Sequence, residues 1–452
     1  MRNRPIVVAV PLPRTDRGPI ALLRTDEIRA FASDPDRSYP AGSRYTDDIR
    51  PGGLLDIEAA RQWTARIDQC RDANLYSFGL PLTAAATAHT AFGGGDLLLF
   101  STYGYLGLNG HPRIVAAAAE AARRWGTSAG GARLLTGTLE LHLETERELA
   151  AHVGTAAAAL YASGYDANLA AISALIGRHD VAIVDARAYR SILDGCRLSG
   201  ARTVRFRHND VEHLDALLAR HATGGTRVLV AVDGVYSMDG DIAPLADLVA
   251  VKDRHGAFLL LDESHAIGVL GADGGGTARH TGVDPAAVDI VTGSLGKAFP
   301  SGGGFVAGSR GLVNYLQHGS APYMFSSALT PANTAAIRET VRTIRDEPEH
   351  LEGMWKNTDR LRRIVENLGL SHGGTETPIV PVILGDTLRT YAWARHLLDD
   401  GIYVSAVPHP AVPAGQSRLR LCATAAHTDE DLDRLDVALR RVAALPDVTG
   451  GG

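Results

Sequence analysis

Lys297 stands in Gly293-Ser294-Leu295-Gly296-Lys297-Ala298-Phe299, and it is one of three lysines in 452 residues. Arginine carries positive charge as well as lysine does but cannot form an imine. A lysine amine can, once burial or a cationic neighbour has removed its proton. A lysine kept in a glycine-bounded turn therefore reads as a Schiff-base residue, whereas Lys252, in a polar helical stretch, reads as a surface lysine. A second constellation lies upstream. Asp262 and His265 follow the apolar run Ala257–Leu261. Such a run is a buried strand, and in open α/β sheets ligands collect outside the carboxyl ends of strands. Alone, Asp-x-x-His reads as a capping aspartate beside a surface histidine. With Lys297 just beyond another strand, Val288–Thr292, it reads as part of a site.

A third strand end supplies an anion site. Ala158–Ala162 leads into Ser163-Gly164-Tyr165 and the helical run Leu169–Ile176. A helix N-terminus after a small-residue turn offers free backbone N–H groups to a phosphate. An imine-forming lysine, a strand-end acid and an anion cradle are what pyridoxal 5′-phosphate (PLP) requires. Its pyridine nitrogen needs an acidic partner to make the ring an electron sink.

These residues need elements to hold them. Residues 1–100 read as an irregular N-terminal extension, with Pro11, Pro13, Pro19, Pro35, Pro40 and Pro51 and one helix over Asp56–Cys70. Residues 101–335 alternate short apolar strands with helices. The strands fall at Ala158–Ala162, Val181–Asp185, Thr203–Phe206, Val228–Val232, Phe258–Leu261, Ile290–Thr292 and Phe305–Ala307. That alternation predicts an α/β domain, a mostly parallel seven-stranded sheet covered on both faces. Residues 336–452 predict a smaller α+β domain with strands Ile379–Leu384, Tyr403–Val407 and Arg418–Ala423 and a last helix Asp429–Val442.

Composition narrows the class. Hydrophobic residues make up 45% and charged residues 21%, ordinary for a globular enzyme. A net charge of −6 argues against a general nucleic-acid binder. Cys70, Cys196 and Cys422 are widely spaced and form neither a metal signature nor a disulfide framework, so no metal is expected and a reducing cytoplasm fits. The stretch Ile6–Val10 is too short for a signal peptide and is followed by Pro11 and Pro13. No apolar run reaches the length of a membrane span.

Further motifs lie in order along the chain: Tyr105-Leu106-Gly107-Leu108, His208-Asn209-Asp210, Asp233-Gly234-Val235-Tyr236-Ser237-Met238-Asp239-Gly240-Asp241, and Arg418-Leu419-Arg420. With the three strand ends, they make the chain over about residues 100–440 resemble the PLP-dependent α-oxoamine synthase family, whose fold is type I. Its members include 8-amino-7-oxononanoate synthase and serine palmitoyltransferase. The resemblance implies a decarboxylative Claisen-type condensation of an amino acid with an acyl thioester, carried by coenzyme A or an acyl carrier protein. It implies Lys297 as the cofactor-bearing base and Asp262 as the partner of the pyridine nitrogen. His265 would lie near the phenolic oxygen and polarise the acyl carbonyl. Gly164, Tyr165 and Ser294 match the phosphate contacts, and Ser237 a further cofactor contact. Ser326 and Ser327 match the segment that reaches the neighbouring subunit's phosphate, which implies a homodimer with shared active sites. Arg420 matches the carboxylate-binding arginine, and Arg418 is expected to face solvent.

Three positions depart from the family pattern. Tyr189 stands where a histidine usually stacks on the pyridine. Tyr103 replaces an asparagine, as in the serine palmitoyltransferase branch, and Ala411 replaces a threonine near the acyl-donor channel. These changes at the carboxylate side point to a specialised biosynthetic reaction. A P-loop reading of Gly293–Lys297 fails, because the glycine six before the lysine and the hydroxyl residue after it are missing. Transamination or aldol chemistry on the same scaffold remains the alternative, and a non-catalytic subunit would be expected to lack the lysine.

Overall fold

The structure is a computed structural model and describes residues 44–445. Residues 1–43 of the N-terminal extension, with Pro11 to Pro40 and the Ile6–Val10 stretch, lie outside the described residues. A helix over Glu58–Asp72 answers the one expected at Asp56–Cys70.

Among the described residues, thirteen strands fall into three sheets. In chain order β1 is His89–Phe92, β2 Gly95–Leu99, β3 Ala157–Tyr161, β4 Val181–Asp185, β5 Arg202–Phe206, β6 Val228–Asp233 and β7 Phe258–Asp262. They continue with β8 Ile290–Ser294, β9 Gly304–Gly308, β10 Ile379–Gly385, β11 Ile402–Tyr403, β12 Ser405–Val407 and β13 Ser417–Cys422. The large sheet has seven strands in the order β3-β9-β8-β7-β6-β4-β5. Its β4, β5, β6, β7 and β8 pair in parallel, while β9 runs antiparallel to both β3 and β8. All seven expected strands are present within a residue or two.

Both faces of this sheet are buried, and the alternation of side chains shows how. Val228, Val230 and Val232 of β6, with Leu259 and Leu261 of β7, join one apolar cluster. Leu229, Ala231 and Leu260, the residues between them, join a second cluster on the opposite face. A strand buried on both faces needs a continuous apolar run, and that is why these strands were legible as runs rather than as alternations.

The smaller sheets join distant parts of the chain. Antiparallel β1 and β2 turn through Gly93 and Gly94, both at positive φ, the conformation a two-residue hairpin loop requires. β2 then pairs in parallel with β11. The expected strand Tyr403–Val407 is thus two strands. The chain leaves β2 after Tyr403, and β12 lies in the other sheet, ordered β10-β13-β12. His427 fastens the same junction. It stacks on Phe100 with ring centroids 4.1 Å apart, and its Nε2 lies 3.0 Å from the carbonyl of Leu99.

Lys252 corrects its sequence reading. It is 6% exposed and pairs with Asp253 and Asp289 at 2.9 and 3.0 Å. The helix Leu245–His255 turns this position toward β8, so it is a buried structural lysine rather than a surface one.

Candidate active site

The carboxyl ends of β6, β7 and β8 meet at one edge of the large sheet. Asp233 and Asp262 are register partners there, and Asp262 is also opposite Thr292. Asp262 is nearly fully buried. Its Oδ2 accepts from Asn168 Nδ2 at 2.6 Å and its Oδ1 from the Ser264 amide at 2.8 Å. Asn168 also donates to Ser191 Oγ at 2.9 Å and accepts from Thr292 Oγ1 at 2.7 Å. The carboxylate is therefore gripped through groups that are themselves satisfied, as a buried charge must be. Asp233 Oδ2 accepts from the amide of Tyr189 at 2.9 Å. Burial first, and then the charge of Asp262, push the Asp233 carboxyl well above its ordinary range.

Lys297 follows β8 in the expected turn. Burial lowers its ammonium pKa, Arg420 adds to the drop, and Asp262 and Asp233 oppose it. Lys297 also lines a cavity of ≈ 510 Å³ together with Tyr103, Ser301, Asn333 and Tyr403. His265 lies in the turn after β7, buried, its pKa held well below the ordinary value by burial, then by Lys297 and Arg420. Its Nδ1 is 2.8 Å from the hydroxyl of Tyr105.

Arg420 comes from β13 and reaches this edge across the chain. It is 1% exposed, donates from Nε to the carbonyl of Ser237 at 2.5 Å, and lies with Cζ 4.8 Å from the centre of the Tyr103 ring. Its Nη1 is 3.0 Å from Cys422 Sγ and its Nη2 3.4 Å from Tyr105 Oη. Among the described residues these contacts use three of a guanidinium's five N–H groups and leave one on each terminal nitrogen. That pair suits the two oxygens of a carboxylate.

Arg418 contradicts its expected place in solvent. It is fully buried, with Nη1 2.7 Å from Asp239 Oδ1 and 3.0 Å from the carbonyl of Met238. Residues two apart on a strand share a face. Arg418 and Arg420 therefore both enter the same loop, Ser237–Asp239.

The phosphate-side residues converge as well. The helix Gly164–Leu175 is capped by Ser163, whose Oγ accepts from the Asp166 amide at 3.0 Å. A Cβ on Gly164 would sit 2.7 Å from Cα and from Cβ of Ser294, so only glycine lets this N-terminus press against the end of β8. Ser294 in turn donates its amide to Ser264 Oγ at 2.9 Å. Tyr165 is 40% exposed beside this cradle, with its hydroxyl on Asp194. Tyr189 precedes the helix Arg190–Ser199 and is 45% exposed, so it is not a buried sheet residue. Burial raises its phenol pKa, and so do Tyr103, Asp262 and Asp233 nearby. Ser326 and Ser327 stand apart. They follow the short helix Ala321–Phe325, and Phe325 is 82% exposed.

Sequence reading named Lys297, Asp262, His265, Ser237, Ser294, Gly164 and Arg420, which this edge brings together. It gave no site role to Asn168 and Thr292, nor to Asp233 and Tyr105, although these two open motifs it had singled out. Asn168 is four residues after Gly164, hence on the same helix face. Asp233 ends an apolar strand in the same way as Asp262, and that signal was available. The set fits PLP: an amine with lowered pKa, a buried carboxylate at a strand end, and a cradle that admits no Cβ.

Residues 95–439 match the family model for aminotransferase class I and II. The chain is 36% identical to the serine palmitoyltransferase of Sphingobacterium spiritivorum, over 83% of this chain and 94% of that protein. It is 40% identical to the 8-amino-7-oxononanoate synthase of Geobacter sulfurreducens, over 84% and 98%. The solved structure of SPT with its PLP internal aldimine superposes with a TM-score of 0.83 at 34% identity, covering 87% of this chain and all of that one. The serine palmitoyltransferase of Sphingomonas wittichii gives 0.82 at 34%, over 86% and 98%. The chain therefore belongs to the aminotransferase class I and II family, as a PLP-dependent acyltransferase of the α-oxoamine synthase type with the type I fold.

Proposed function

We propose that this protein condenses an amino acid with an acyl thioester, releasing the thiol and carbon dioxide, and that the residues at the β6–β8 edge do the work. The observation that carries the reading is the meeting of Lys297, Asp262 and His265 with Arg420 from the far end of the chain. Bound PLP supplies an electron sink for the pair left at the amino acid's Cα. Lys297, Asp262, His265, Ser237, Ser294, Gly164, Tyr165 and Tyr189 would hold it.

Lys297 is the base. A general base must be unprotonated near working pH, and burial with Arg420 moves the amine in that direction. Arg420 holds the amino acid's carboxylate with the N–H groups its protein contacts leave over. Tyr103 covers the guanidinium and keeps water from competing. Asp262 is kept in place by Asn168 and Ser264, so it would partner the cofactor's ring nitrogen without rearranging. His265 polarises the acyl carbonyl. The thiol carrier is coenzyme A or an acyl carrier protein.

The active unit is a homodimer. Leu135, in a loop, and Phe325, at the end of the helix Ala321–Phe325, are 80% and 82% exposed, and the Ala328 amide joins the two segments by donating to the carbonyl of Gly131 at 3.0 Å. Exposed apolar residues on adjoining segments fit burial against a second copy. Ser326 and Ser327, next to Phe325, would then complete the partner's phosphate site. Cys70, Cys196 and Cys422 are free and buried, which fits the cytoplasm, and no described helix is long and apolar enough to cross a membrane.

A mass-spectrometric screen of amino acids against acyl thioesters tests the reading. The expected product gains the acyl group and lacks the carboxylate. A keto acid formed without any thioester would show transamination instead.

A further inference from the structure

We propose that Tyr105 is a positioning residue that fixes the single proton of His265 on Nε2, so that the imidazole meets the substrate as a neutral hydrogen-bond donor. The inference rests on the reading of His265 as a site residue and adds the direction in which it works.

Tyr105 is 1% exposed, in the loop before the helix Pro112–Trp125. Its hydroxyl has two polar neighbours among the described residues, His265 Nδ1 at 2.8 Å and Arg420 Nη2 at 3.4 Å. A guanidinium has donors and no acceptor, so toward Arg420 the hydroxyl oxygen accepts. One hydroxyl proton remains to be placed. If His265 Nδ1–H also donated to this oxygen, the hydroxyl proton would be buried with no acceptor. If the hydroxyl donates to Nδ1, all three groups are satisfied. Buried polar groups are overwhelmingly satisfied, so the second arrangement holds. A neutral imidazole with an accepting Nδ1 carries its proton on Nε2.

Three further features keep it so. The imidazole is held against gaining a second proton by burial first, then by the nearby Lys297 amine and Arg420 guanidinium. The phenol of Tyr105 is held against losing its proton, since burial raises its pKa. The rings of Tyr103 and Tyr105 meet the imidazole with centroids 6.0 and 6.2 Å away, at 89° and 60°, and limit its rotation. Polarity therefore runs one way, from Arg420 through Tyr105 to His265 and on to an oxygen acceptor in the site. Carboxylate recognition at Arg420 and hydrogen-bond donation by His265 belong to one chain of bonds. His265 is then no proton acceptor at Nε2, and the role of base falls to Lys297.

The test is nitrogen-15 NMR of the full-length, cofactor-free protein labelled at histidine, with the His265 signals assigned by their loss in His265→Gln. The expected spectrum between pH 6 and 8 shows Nε2 protonated and Nδ1 bare. In Tyr105→Phe the tautomer should become mixed or reverse, and kcat should fall roughly 10- to 100-fold with KM for the amino acid little changed. A wild-type His265 protonated on Nδ1 overturns the proposal, and so does an unchanged tautomer in Tyr105→Phe. If that variant does not fold, the wild-type spectrum alone still decides where the proton sits. A spectrum with Nε2 protonated beside a failed product screen would sink the proposed reaction and leave this assignment standing.

Discussion

The two ends of β8 treat a lysine in opposite ways. At its start, Asp289 takes the ammonium of Lys252 at 3.0 Å, with Asp253 at 2.9 Å. Burial alone would lower that pKa, but the two carboxylates outweigh it and raise the pKa above its ordinary 10.5. At the other end, burial lowers Lys297, and Asp262 and Asp233 fail to hold it up. Carboxylates stand near both lysines, so their presence is not what differs. The oxygens of Asp262 are taken by Asn168 and Ser264, and that of Asp233 by Tyr189. No described residue forms an ion pair with Lys297. A lysine whose neighbouring acids are engaged elsewhere is an amine in waiting. One whose acids reach it, as Asp289 does while its Oδ2 also accepts from the Leu259 amide at 2.8 Å, is a structural cation.

The sharpest way to break this comparison is to exchange the group while keeping the charge. Lys297→Arg should cost roughly 1,000-fold or more in turnover, because a guanidinium can neither form an imine nor give up its proton. Borohydride treatment of the PLP-loaded protein followed by peptide mapping should label Lys297. A label on Lys252 would mean the wrong end of β8 has been chosen, and one on Lys356 would put the imine away from β8 altogether.

Next in size is the pair on β13. Arg420→Ala should weaken amino-acid binding roughly 10- to 100-fold, with thermal stability little changed. Arg418→Ala should instead unfold more easily. It leaves Asp239 without its buried partner, with Arg187 at 3.1 Å as its remaining ion-pair partner among the described residues, and breaking such a pair costs about 3–5 kcal/mol. Substrate titration and urea unfolding of both variants separate the roles. A stable Arg418→Ala with weakened substrate binding would reverse them.

How much of this was legible beforehand follows from the same physics. The inner strands β4, β6 and β7 are continuous apolar runs because both faces are covered, so each announced itself locally, whereas β5 at the sheet's edge carries two arginines and is largely exposed. Lys297, Asp262 and His265 were legible because strand ends in such a sheet are where ligands gather. Arg418 was misread because a charged residue in a short strand looks solvent-facing until the loop it enters is known. Its distance in sequence from Asp239 hides that loop. The break after Tyr403 was hidden likewise, since Tyr403 pairs with β2, some three hundred residues away. Lys252 looked exposed because its helix is polar overall, while its own position turns inward to Asp289.

A smaller effect is expected at Tyr189. Half-exposed and close to Asp262, it would cover one face of a bound ring on the reading proposed above. Tyr189→Phe should keep PLP and its absorbance, since stacking needs only an aromatic ring. Tyr189→Ala should weaken PLP binding roughly 3- to 10-fold. Equilibrium dialysis of PLP against both variants measures this. Equal affinity in Tyr189→Ala would remove Tyr189 from the cofactor's face.

The smallest effect on catalysis, and the cleanest test of the opening contrast, belongs to Lys252→Met. Its ammonium is far from the cofactor edge, so turnover should stay within about twofold, inside the range of ordinary remote substitutions. Stability should fall by about 1–2 kcal/mol. That is less than for a sealed pair, because Asp253 and Asp289 are partly open to water. The pH dependence fixes the cause. The folded pKa of Lys252 lies above the unfolded value, so its contribution is complete below about pH 10.5 and drains away as pH rises through the folded value. The stability gap between wild type and Lys252→Met should therefore be flat from pH 7 to about 10 and narrow above it. A gap that persists unchanged above the folded pKa would mean that Lys252 stabilises β8 through the packing of its alkyl stem. The two ends of the strand would then differ in shape rather than in charge.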